Sequence, residues 1–416
     1  MLHLGYVYMQ CAMEIKGKKL LLLGGGPQQV VAIETAKRLG LYTIVCDYLP
    51  DNPGQYCANR FYPISSTDKE AVLGIAQNEK IDGIIAYASD PAAPTAAYVA
   101  KELGLPGNPY NSIITACNKD LFRDFLEQNG YSVPKHHDYT ERQSALLAID
   151  KVDYPIVIKP VDASGSKGVT VVRGKEQFSE SVEFAFSRSR SEHIIVEKFI
   201  EKKHKYLIGG DLFVLGGKVV MWGLMNCHRD PYVNQLVPIG KSYPASISDV
   251  DLEHVKDTLQ TLVEKLGYIS GPMNVELMID DSDRVWIIDI GPRAGGNMIP
   301  QLMDMIFGVD TVEMSVRLAM GQKVDYHEKT NEHCYATYNI HSREDGLFDS
   351  IEYDETVKIH IIRQHIYVKP GEKVRYFSDS AAVLGVIFMR FDNKKQMNEV
   401  MDDIYSKIIV KTKTHV

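Results

Sequence analysis

The first hundred residues alternate between short apolar strands and helices, and this alternation constrains the fold more than any other feature. Strand–helix repeats build an open parallel sheet whose ligands bind beyond the C-terminal ends of the strands. Those ends place Gly25, Asp47 and Ser89-Asp90 near a ligand. The pattern predicts strands at 19–23, 42–46, 61–64 and 82–87 and helices at 28–39, 68–79 and 92–103.

A glycine-rich turn, Gly24-Gly25-Gly26-Pro27-Gln28-Gln29, follows the first strand and precedes a helix. A dinucleotide fingerprint requires a third glycine where this chain has Gln29, which disfavours NAD or FAD. We expect instead that the turn meets an anionic group of a small substrate, because helix N-termini attract anions.

The composition excludes several classes of protein. The net charge of -8 is unlike the basic footprint of a nucleic-acid-binding protein. No apolar run is long enough to span a bilayer, and the six cysteines show no metal-ligand spacing. These features predict a cytoplasmic protein with reduced cysteines that binds neither nucleic acid nor membranes. Residues 1–12 lack the features of a secretory signal, and we interpret them as a tail, with Met13 as an alternative start.

Residues 273–298 contain two strands joined by a polar turn, and they carry a pair of carboxylates. The two-residue period of a strand puts Glu276 on the face opposite Val275 and Leu277. The hairpin then brings Glu276 beside Asp289, where two carboxylates repel unless a cation joins them. Mg²⁺ is commonly held by one or two carboxylates plus phosphate oxygens. The alternative interpretation of this stretch is a solvent-facing acidic hairpin.

Residues 154–172 form a second informative stretch, in which a strand ends at Lys159 and a loop rich in glycine, serine and lysine follows. The N–H groups and hydroxyls of such a loop can surround phosphate oxygens. The alternative is a mobile surface hairpin, but Lys159 at the strand end favours phosphate binding. Neither this loop nor Gly240-Lys241-Ser242 meets the requirements of a Walker motif.

The rest of the chain changes from longer elements to short strands near residue 333. Before that point the pattern predicts a helix at 112–130, a hairpin at 211–220 and helices at 249–266 and 299–320. After it we expect a smaller α+β subdomain, with strands at 335–340, 357–362, 366–368 and 382–391 and a helix at 395–408.

The order of these motifs resembles the ATP-grasp superfamily of ADP-forming carboxylate ligases, and the resemblance covers nearly the whole chain. Members include D-alanine ligase, biotin carboxylase, carbamoyl-phosphate synthetase and L-amino-acid ligases. The resemblance implies α/β and α+β architecture. A pre-ATP-grasp domain with a parallel sheet would occupy 13–111, and an ATP-grasp domain 112–325, with a small lobe at about 125–200 and a large lobe at 201–325. A C-terminal α+β subdomain, 326–416, would complete the large lobe.

The resemblance also implies a role for each matching residue. Lys119 and Lys159 would contact ATP, and Arg293 would hold the acyl-phosphate or the substrate carboxylate, so that Lys159 and Arg293 are the expected catalytic residues. Glu276 and Asp289 would bind Mg²⁺ or Mn²⁺. The other expected contacts are the phosphate-covering loop Ser164, Gly165, Ser166, Lys167 and Gly168, the adenine hinge Glu197, Lys198, Phe199 and Ile200, and a substrate pocket with His228, Arg229, Gly295 and Asn297.

Two departures from the family pattern leave details open. Relatives end the second strand in Glu-x-Asn-Pro-Arg, whereas this chain has Asp289-Ile290-Gly291-Pro292-Arg293. Gly291 removes an amide ligand, so the number of metal ions stays open. Relatives often carry a ribose-binding glutamate where this chain has His204-Lys205, so the ribose contacts stay open as well.

The implied activity is that of an ATP-dependent ligase. It would form an acyl-phosphate from a small carboxylate, with an amino acid favoured, and transfer the acyl group to an amine with release of ADP and phosphate. One alternative is a carboxylase or carbamoyl-phosphate-type enzyme of purine or pyrimidine synthesis, and another is a catalytically weak ATP-binding protein. The expected partners are a small carboxylate and an amine, and a homodimer is common among relatives.

Overall fold

A parallel sheet forms the N-terminal part of the molecule in the computed structural model, which describes residues 14–327, 329 and 332–413. The predicted tail at 1–12 and the alternative start Met13 lie outside these residues. The sheet has the strand order β3-β2-β1-β4 and consists of β1 (Lys19–Leu23), β2 (Tyr42–Cys46), β3 (Arg60–Tyr62) and β4 (Gly83–Ile85).

Helices cover both faces of this sheet, which explains the run of leucines in β1. Leu20 and Leu22 pack in one buried cluster, and Leu21 and Leu23 pack in another on the opposite face. The helices are Val30–Arg38, Pro53–Cys57, Lys69–Glu79 and Ala93–Leu103. The predicted strand–helix alternation and parallel sheet are therefore confirmed.

A small antiparallel sheet follows, with the order β5-β8-β6-β7. Its strands are β5 (His136–Tyr139), β6 (Ile156–Pro160), β7 (Thr170–Val172) and β8 (Ile194–Lys198), and its helices are Arg142–Leu146 and Phe178–Arg188, with a 3₁₀ turn at Lys175–Gln177. Helices Tyr110–Cys117 and Lys119–Gln128 precede it. The single helix predicted at 112–130 is wrong, because Asn118 is extended and interrupts it.

The central sheet has the order β13-β12-β9-β10-β11-β14-β18-β16 and joins the middle of the chain to its C-terminal part. A smaller sheet has the order β17-β15-β19. The strands are β9 (Leu207–Leu215), β10 (Lys218–His228), β11 (Gly240–Tyr243), β12 (Gly271–Ile279), β13 (Val285–Gly291), β14 (Cys334–Ile340), β15 (Gly346–Tyr353), β16 (Ile361–Ile366), β17 (Lys373–Val374), β18 (Gly385–Phe391) and β19 (Ile408–Lys413).

Helices pack on both faces of the central sheet, each over a buried apolar cluster. Helix Asp249–Leu266, predicted with these bounds, packs on the face that carries Leu212 and Val275, whereas helix Ile299–Phe307 packs on the opposite face. The other helical segments are Thr311–Ala319, Glu355–Lys358, Ser380–Ala382, Lys394–Met401 and Ile404–Lys407.

Two C-terminal predictions are wrong. The strand expected at 357–362 is replaced by helix Glu355–Lys358, whose first turn is capped by Asp354, and by β16. The helix expected at 395–408 divides into two short helices. Across the described ranges 14–327, 329 and 332–413, every helix is too short or too polar to cross a bilayer. The domain boundaries stay predictions.

Candidate active site

Glu276 of β12 and Asp289 of β13 lie directly opposite each other in the antiparallel ladder, so the predicted register of the hairpin is confirmed. Side chains that are directly opposite in a ladder are close neighbours. Each carboxylate has a cationic partner in this structure: Arg229 donates to Glu276 Oε1 over 2.8 Å, and Lys119 Nζ lies 3.5 Å from Asp289 Oδ2. The two acidic side chains are half-buried and exposed enough to meet a ligand.

Lys159 is buried beside a second cation that the sequence did not reveal. Its Nζ lies 2.6 Å from Glu197 Oε2, while the fully buried Arg123 donates to Glu197 Oε1 over 2.6 Å. Arg123 also donates to the carbonyls of Ile287 and Ile288 on β13, so it joins the small sheet to the central sheet. Its spacing of four residues from Lys119, on the same helix face, is the signal that could have identified it.

The ion pairs decide the charge of Glu197. Burial by itself would raise the pKa of this carboxyl, but the charges of Arg123 and Lys159 outweigh burial and lower the pKa to about 2. The Glu197 carboxylate therefore faces Lys159 in this conformation. In the adjoining hinge, the N–H groups of Lys198 and Phe199 donate to the carbonyls of Lys135 and Pro155, and Ile200 follows.

The glycine-serine loop between β6 and β7 reaches across to the central sheet. Ser166 Oγ donates to the carbonyl of Leu236 over 2.9 Å, and a Cβ on Gly165 would lie 2.3 Å from Ser380 Oγ. Gly165, Ser166 and Gly168 all have left-handed backbone conformations, which glycine adopts readily. Ser164 is half-buried and Lys167 is exposed.

Arg293, in the loop after β13, is fixed by Asp90 from the N-terminal sheet. Its Nε donates to Asp90 Oδ1 over 2.7 Å, its Nη2 donates to Oδ2, and its Nη1 donates to the carbonyl of Ala294 over 3.0 Å. Gly291 makes this pair possible, because a Cβ there would lie 2.3 Å from Asp90 Oδ1. The departure from the family pattern at Gly291 thus has a steric reason in this chain.

The loop after Arg293 is held against the N-terminal sheet. Asn297 donates its backbone N–H to Gln28 Oε1 over 2.9 Å, and Gln28 donates back to Asn297 Oδ1 over 3.2 Å. The N–H of Gly295 donates to the buried carboxylate of Asp211 over 2.7 Å. Gly295 and Asn297 therefore lie where the N-terminal sheet and the central sheet meet.

The glycine turn after β1 holds an internal carboxylate. The N–H of Gly25 donates to Asp47 Oδ2 over 2.7 Å, and a Cβ on Gly25 would lie 2.1 Å from Asn52 Oδ1. Asp47 thus places a carboxylate against the N–H of Gly25, and the expectation of a substrate anion at this turn stays a prediction.

His228 does not face the cleft, and the expectation that it meets an anionic substrate is wrong. It alternates with Arg229 and Cys227 along β10, so its side chain points to the other face, where Nε2 lies 2.8 Å from Ser242 Oγ. Burial lowers the pKa of His228 to about 3, which keeps the imidazole neutral. Arg229 forms an ion pair with Glu276, and its expected contact with a substrate stays a prediction.

His204 forms hydrogen bonds with backbone groups of the protein in this structure. Its Nε2 accepts a hydrogen bond from the N–H of Ile279 over 2.9 Å, and its Nδ1 donates to the carbonyl of Tyr206. Burial lowers the pKa of His204 to about 4, consistent with a neutral ring that accepts at one nitrogen. The side chain therefore attaches the start of β9 to the end of β12.

Lys241 is a cation on the cleft face that its sequence context, Gly240-Lys241-Ser242, does not predict. In the ladder Lys241 is opposite Cys227, and its Nζ lies 2.7 Å from Cys227 Sγ. A Cβ on Gly209 would lie 2.9 Å from both atoms, and Gly209 is opposite Glu276. Lys241 on β11 thus lies on the same face as Glu276 on β12, with β9 and β10 between them.

The donor set fits a divalent cation that shares phosphate ligands. Glu276 and Asp289 supply hard oxygen atoms, and within the described parts of the chain no group of three or more His, Cys, Asp or Glu side chains forms a complete metal site. Mg²⁺ is usually bound through one or two carboxylates plus substrate phosphates. The residues therefore fit Mg²⁺ or Mn²⁺ together with a nucleotide.

A small lysine-bearing sheet, a large sheet with paired carboxylates and a loop that connects them define a protein of the ATP-grasp class. The family model described as carbamoyl-phosphate synthase L chain, ATP binding domain, matches residues 118–327, half of the chain. The chain belongs to this family. This membership confirms the resemblance and the class of enzyme, an ADP-forming carboxylate–amine ligase.

Curated relatives share about a quarter of their residues with this chain. The uncharacterized protein y4rH of Sinorhizobium fredii is 26% identical over 369 residues, which are 85% of this chain and 74% of that protein. The carbamoyl phosphate synthase large chain of Clostridium perfringens is 25% identical over 323 residues, which are 74% of this chain. The match spans only 29% of that large chain.

Solved structures confirm the fold over almost the whole chain. The L-amino acid ligase of Bacillus licheniformis aligns with a TM-score of 0.80 and 21% identity, over 96% of this chain and 100% of that chain. The biotin carboxylase domain of Hydrogenobacter thermophilus 2-oxoglutarate carboxylase, solved with MgADP, ADP and bicarbonate, aligns with a TM-score of 0.71 and 16% identity, over 95% and 91%. At these identities the likeness establishes the fold.

Proposed function

We propose that this protein is an ATP-dependent ligase that activates a small carboxylate as an acyl-phosphate and joins it to an amine. The observation that carries the proposal is the pair Glu276 and Asp289, in which Asp289 Oδ2 lies 3.5 Å from Lys119 Nζ at the start of helix Lys119–Gln128. An amino acid is the favoured carboxylate, in line with the alignment to the L-amino acid ligase.

The basic side chains would bind and orient the nucleotide. Lys119, at the start of helix Lys119–Gln128, and Lys159 on β6 present positive charge, and Lys241 presents it from the central sheet. Glu276 and Asp289 would hold Mg²⁺ or Mn²⁺, which supplies neutralisation of phosphate charge when bound. Phosphoryl transfer depends mainly on such positioning and charge stabilisation.

Arg293 and its surroundings would bind the carboxylate that receives the phosphoryl group. Asp90 holds the Arg293 guanidinium in one orientation, so little side-chain freedom is lost when a substrate binds. The backbone near Gly295 and the side chain of Asn297 form the adjoining wall. The loop at Ser164–Gly168, which already contacts Leu236, would exclude water that otherwise hydrolyses an acyl-phosphate.

A phosphate-release screen tests the proposal. The purified protein is incubated with MgATP and a panel of amino acids, other carboxylates and bicarbonate, each with and without an amine. We expect phosphate release that requires both a carboxylate and an amine, together with an amide product detected by mass spectrometry. Glu276→Ala should abolish this release, whereas the exposed Glu253→Ala should retain it. Full release by Glu276→Ala would contradict the site assignment.

A second candidate, activation of bicarbonate, is favoured by the family description and by the large-chain relative. The same screen separates the two functions. ADP formation that requires bicarbonate and no other carboxylate would support the second candidate, whereas ADP formation that requires an organic acid supports the ligase.

A further inference from the structure

The pair formed by Cys227 and Lys241 has a geometry that the ligase reaction does not explain. The Sγ and Nζ atoms are 2.7 Å apart. This separation is shorter than an ordinary contact between sulfur and nitrogen, and it matches the span of two single bonds through one bridging oxygen atom. The neighbouring Gly209 leaves the space in which the two atoms meet, since its absent Cβ would lie 2.9 Å from each of them.

We propose that Cys227 and Lys241 form an oxidative modification site, in which a peroxide joins the two side chains through an oxygen atom as Cys–S–O–NH–Lys. The bond places the modification on the cleft face, two strands from Glu276. It converts the amine of Lys241 into a tethered group that no longer carries an ammonium charge.

The chemistry balances with hydrogen peroxide as the named oxidant. One peroxide oxidises the thiol to a sulfenic acid, and a second oxidises the neutral amine to a hydroxylamine, with one water released in each step. The hydroxylamine oxygen then attacks the sulfenic sulfur, and the S–OH oxygen leaves as water. Sulfur and nitrogen each lose two electrons, each peroxide accepts two, and three waters form in total.

Cys227 is buried, with 2% of its surface exposed, so the oxidant has to be as small as peroxide to reach its Sγ atom. Lys241, which contacts that atom, is half-buried at the cleft and supplies the electropositive surroundings in which reactive cysteines lie. Burial raises the pKa of Cys46 to about 12 and also raises the pKa of Cys117, so these two thiols stay protonated.

The consequence for the enzyme rests on the proposed function. Lys241 on the cleft face is expected to attract nucleotide phosphates, so the bridge should reduce ATP turnover at least tenfold while leaving the fold intact. Two equivalents of dithiothreitol, each supplying two electrons, cleave the S–O and N–O bonds, return the thiol and the amine with release of one water, and should restore the turnover.

Peptide mapping of the full-length protein tests the bridge without any activity measurement. After peroxide treatment we expect a cross-linked pair of peptides containing Cys227 and Lys241, with a mass increase of one oxygen minus two hydrogens that dithiothreitol reverses. Cys227→Ser and Lys241→Arg should both abolish the cross-link, whereas the control Cys57→Ser should retain it. Oxidation of Cys227 to a sulfinic acid beside an unmodified Lys241 would overturn the proposal.

Activity measured on the same samples separates the two proposals. Turnover that falls with the cross-linked fraction and recovers with dithiothreitol supports the bridge as a control of the ligase. A cross-link that forms while turnover stays constant overturns that regulatory role and the assignment of Lys241 to the nucleotide site, but leaves the modification site in place.

Discussion

Asp90 and Arg293 form a two-pronged ion pair that joins the end of the N-terminal sheet to the loop that follows β13. The rigid fork of a guanidinium matches a carboxylate in this way, and lysine has no equivalent geometry. The pair fixes Arg293 relative to Asp289, which lies four residues earlier on β13. The N-terminal sheet therefore takes part in building the candidate site.

Gly291→Ala should disrupt this pair, since the added Cβ would lie 2.3 Å from Asp90 Oδ1 and 3.1 Å from Arg293 Nε. We expect a loss of about 1–3 kcal/mol in the free energy of unfolding, typical of overpacking, and at least a tenfold lower kcat/KM. Chemical denaturation and ATP-turnover assays measure these effects.

The matched control is Gly74→Ala. Gly74 lies in helix Lys69–Glu79, and a Cβ there meets nothing within 4 Å. This variant should be as stable as the wild type or more stable, because alanine favours a helix over glycine by up to about 1 kcal/mol. Equal behaviour of the two variants would contradict the steric role of Gly291.

Arg123→Met should destabilise the protein by about 3–5 kcal/mol, because it leaves the buried Glu197 with one cation and leaves two β13 carbonyls without their donor. The control Arg142→Met removes an exposed ion pair with Glu183 and should cost less than about 1 kcal/mol. Urea denaturation of both variants gives the comparison. A small effect at Arg123 would show that the buried pair is not a structural anchor.

The sequence predicted much of the fold, because the period at which apolar residues recur distinguishes strands from helices. The strand–helix alternation, helix Asp249–Leu266 and the pairing of Glu276 with Asp289 all follow from which residues recur on one face. No change in the spacing of apolar residues marks the break between the two helices at Asn118. At this break the N–H of Lys119 donates to the carbonyl of Val161 instead of to a carbonyl of the preceding helical turn. This tertiary contact outweighs helix propensity.

Contacts between distant parts of the chain explain the other differences. Asp90 and Arg293 are separated by 203 positions and Arg123 and Glu197 by 74, so neither pair forms a sequence motif. At the glycine turn, the carboxylate of Asp47 accepts the N–H of Gly25 across 22 positions of the chain. The acid in the motif was visible in the sequence, but its hydrogen bond to Gly25 was not.

Asp289→Asn should weaken the response to divalent cations. A bound ligand stabilises the folded state in proportion to RT ln(1 + [L]/Kd), about 2.7 kcal/mol at a hundredfold excess over Kd. We expect MgADP to raise the Tm of the wild type more than ADP without metal, and this difference should disappear in Asp289→Asn. The control Asp281→Asn changes an exposed acid in the neighbouring turn and should keep the difference. A metal response retained in Asp289→Asn would rule out this residue as a ligand.

His228→Gln should reduce the loss of stability on acidification. Burial lowers the pKa of His228 from 6.5 to about 3, so between these values the unfolded chain binds a proton that the folded chain does not. Stability therefore falls as the pH drops below 6.5, and this residue accounts for about 2 kcal/mol between pH 7 and pH 5. Urea denaturation at the two pH values should show a difference smaller by that amount in His228→Gln. The exposed His137→Gln should retain the wild-type difference, and an unchanged difference in His228→Gln would mean that His228 is protonated in the folded protein.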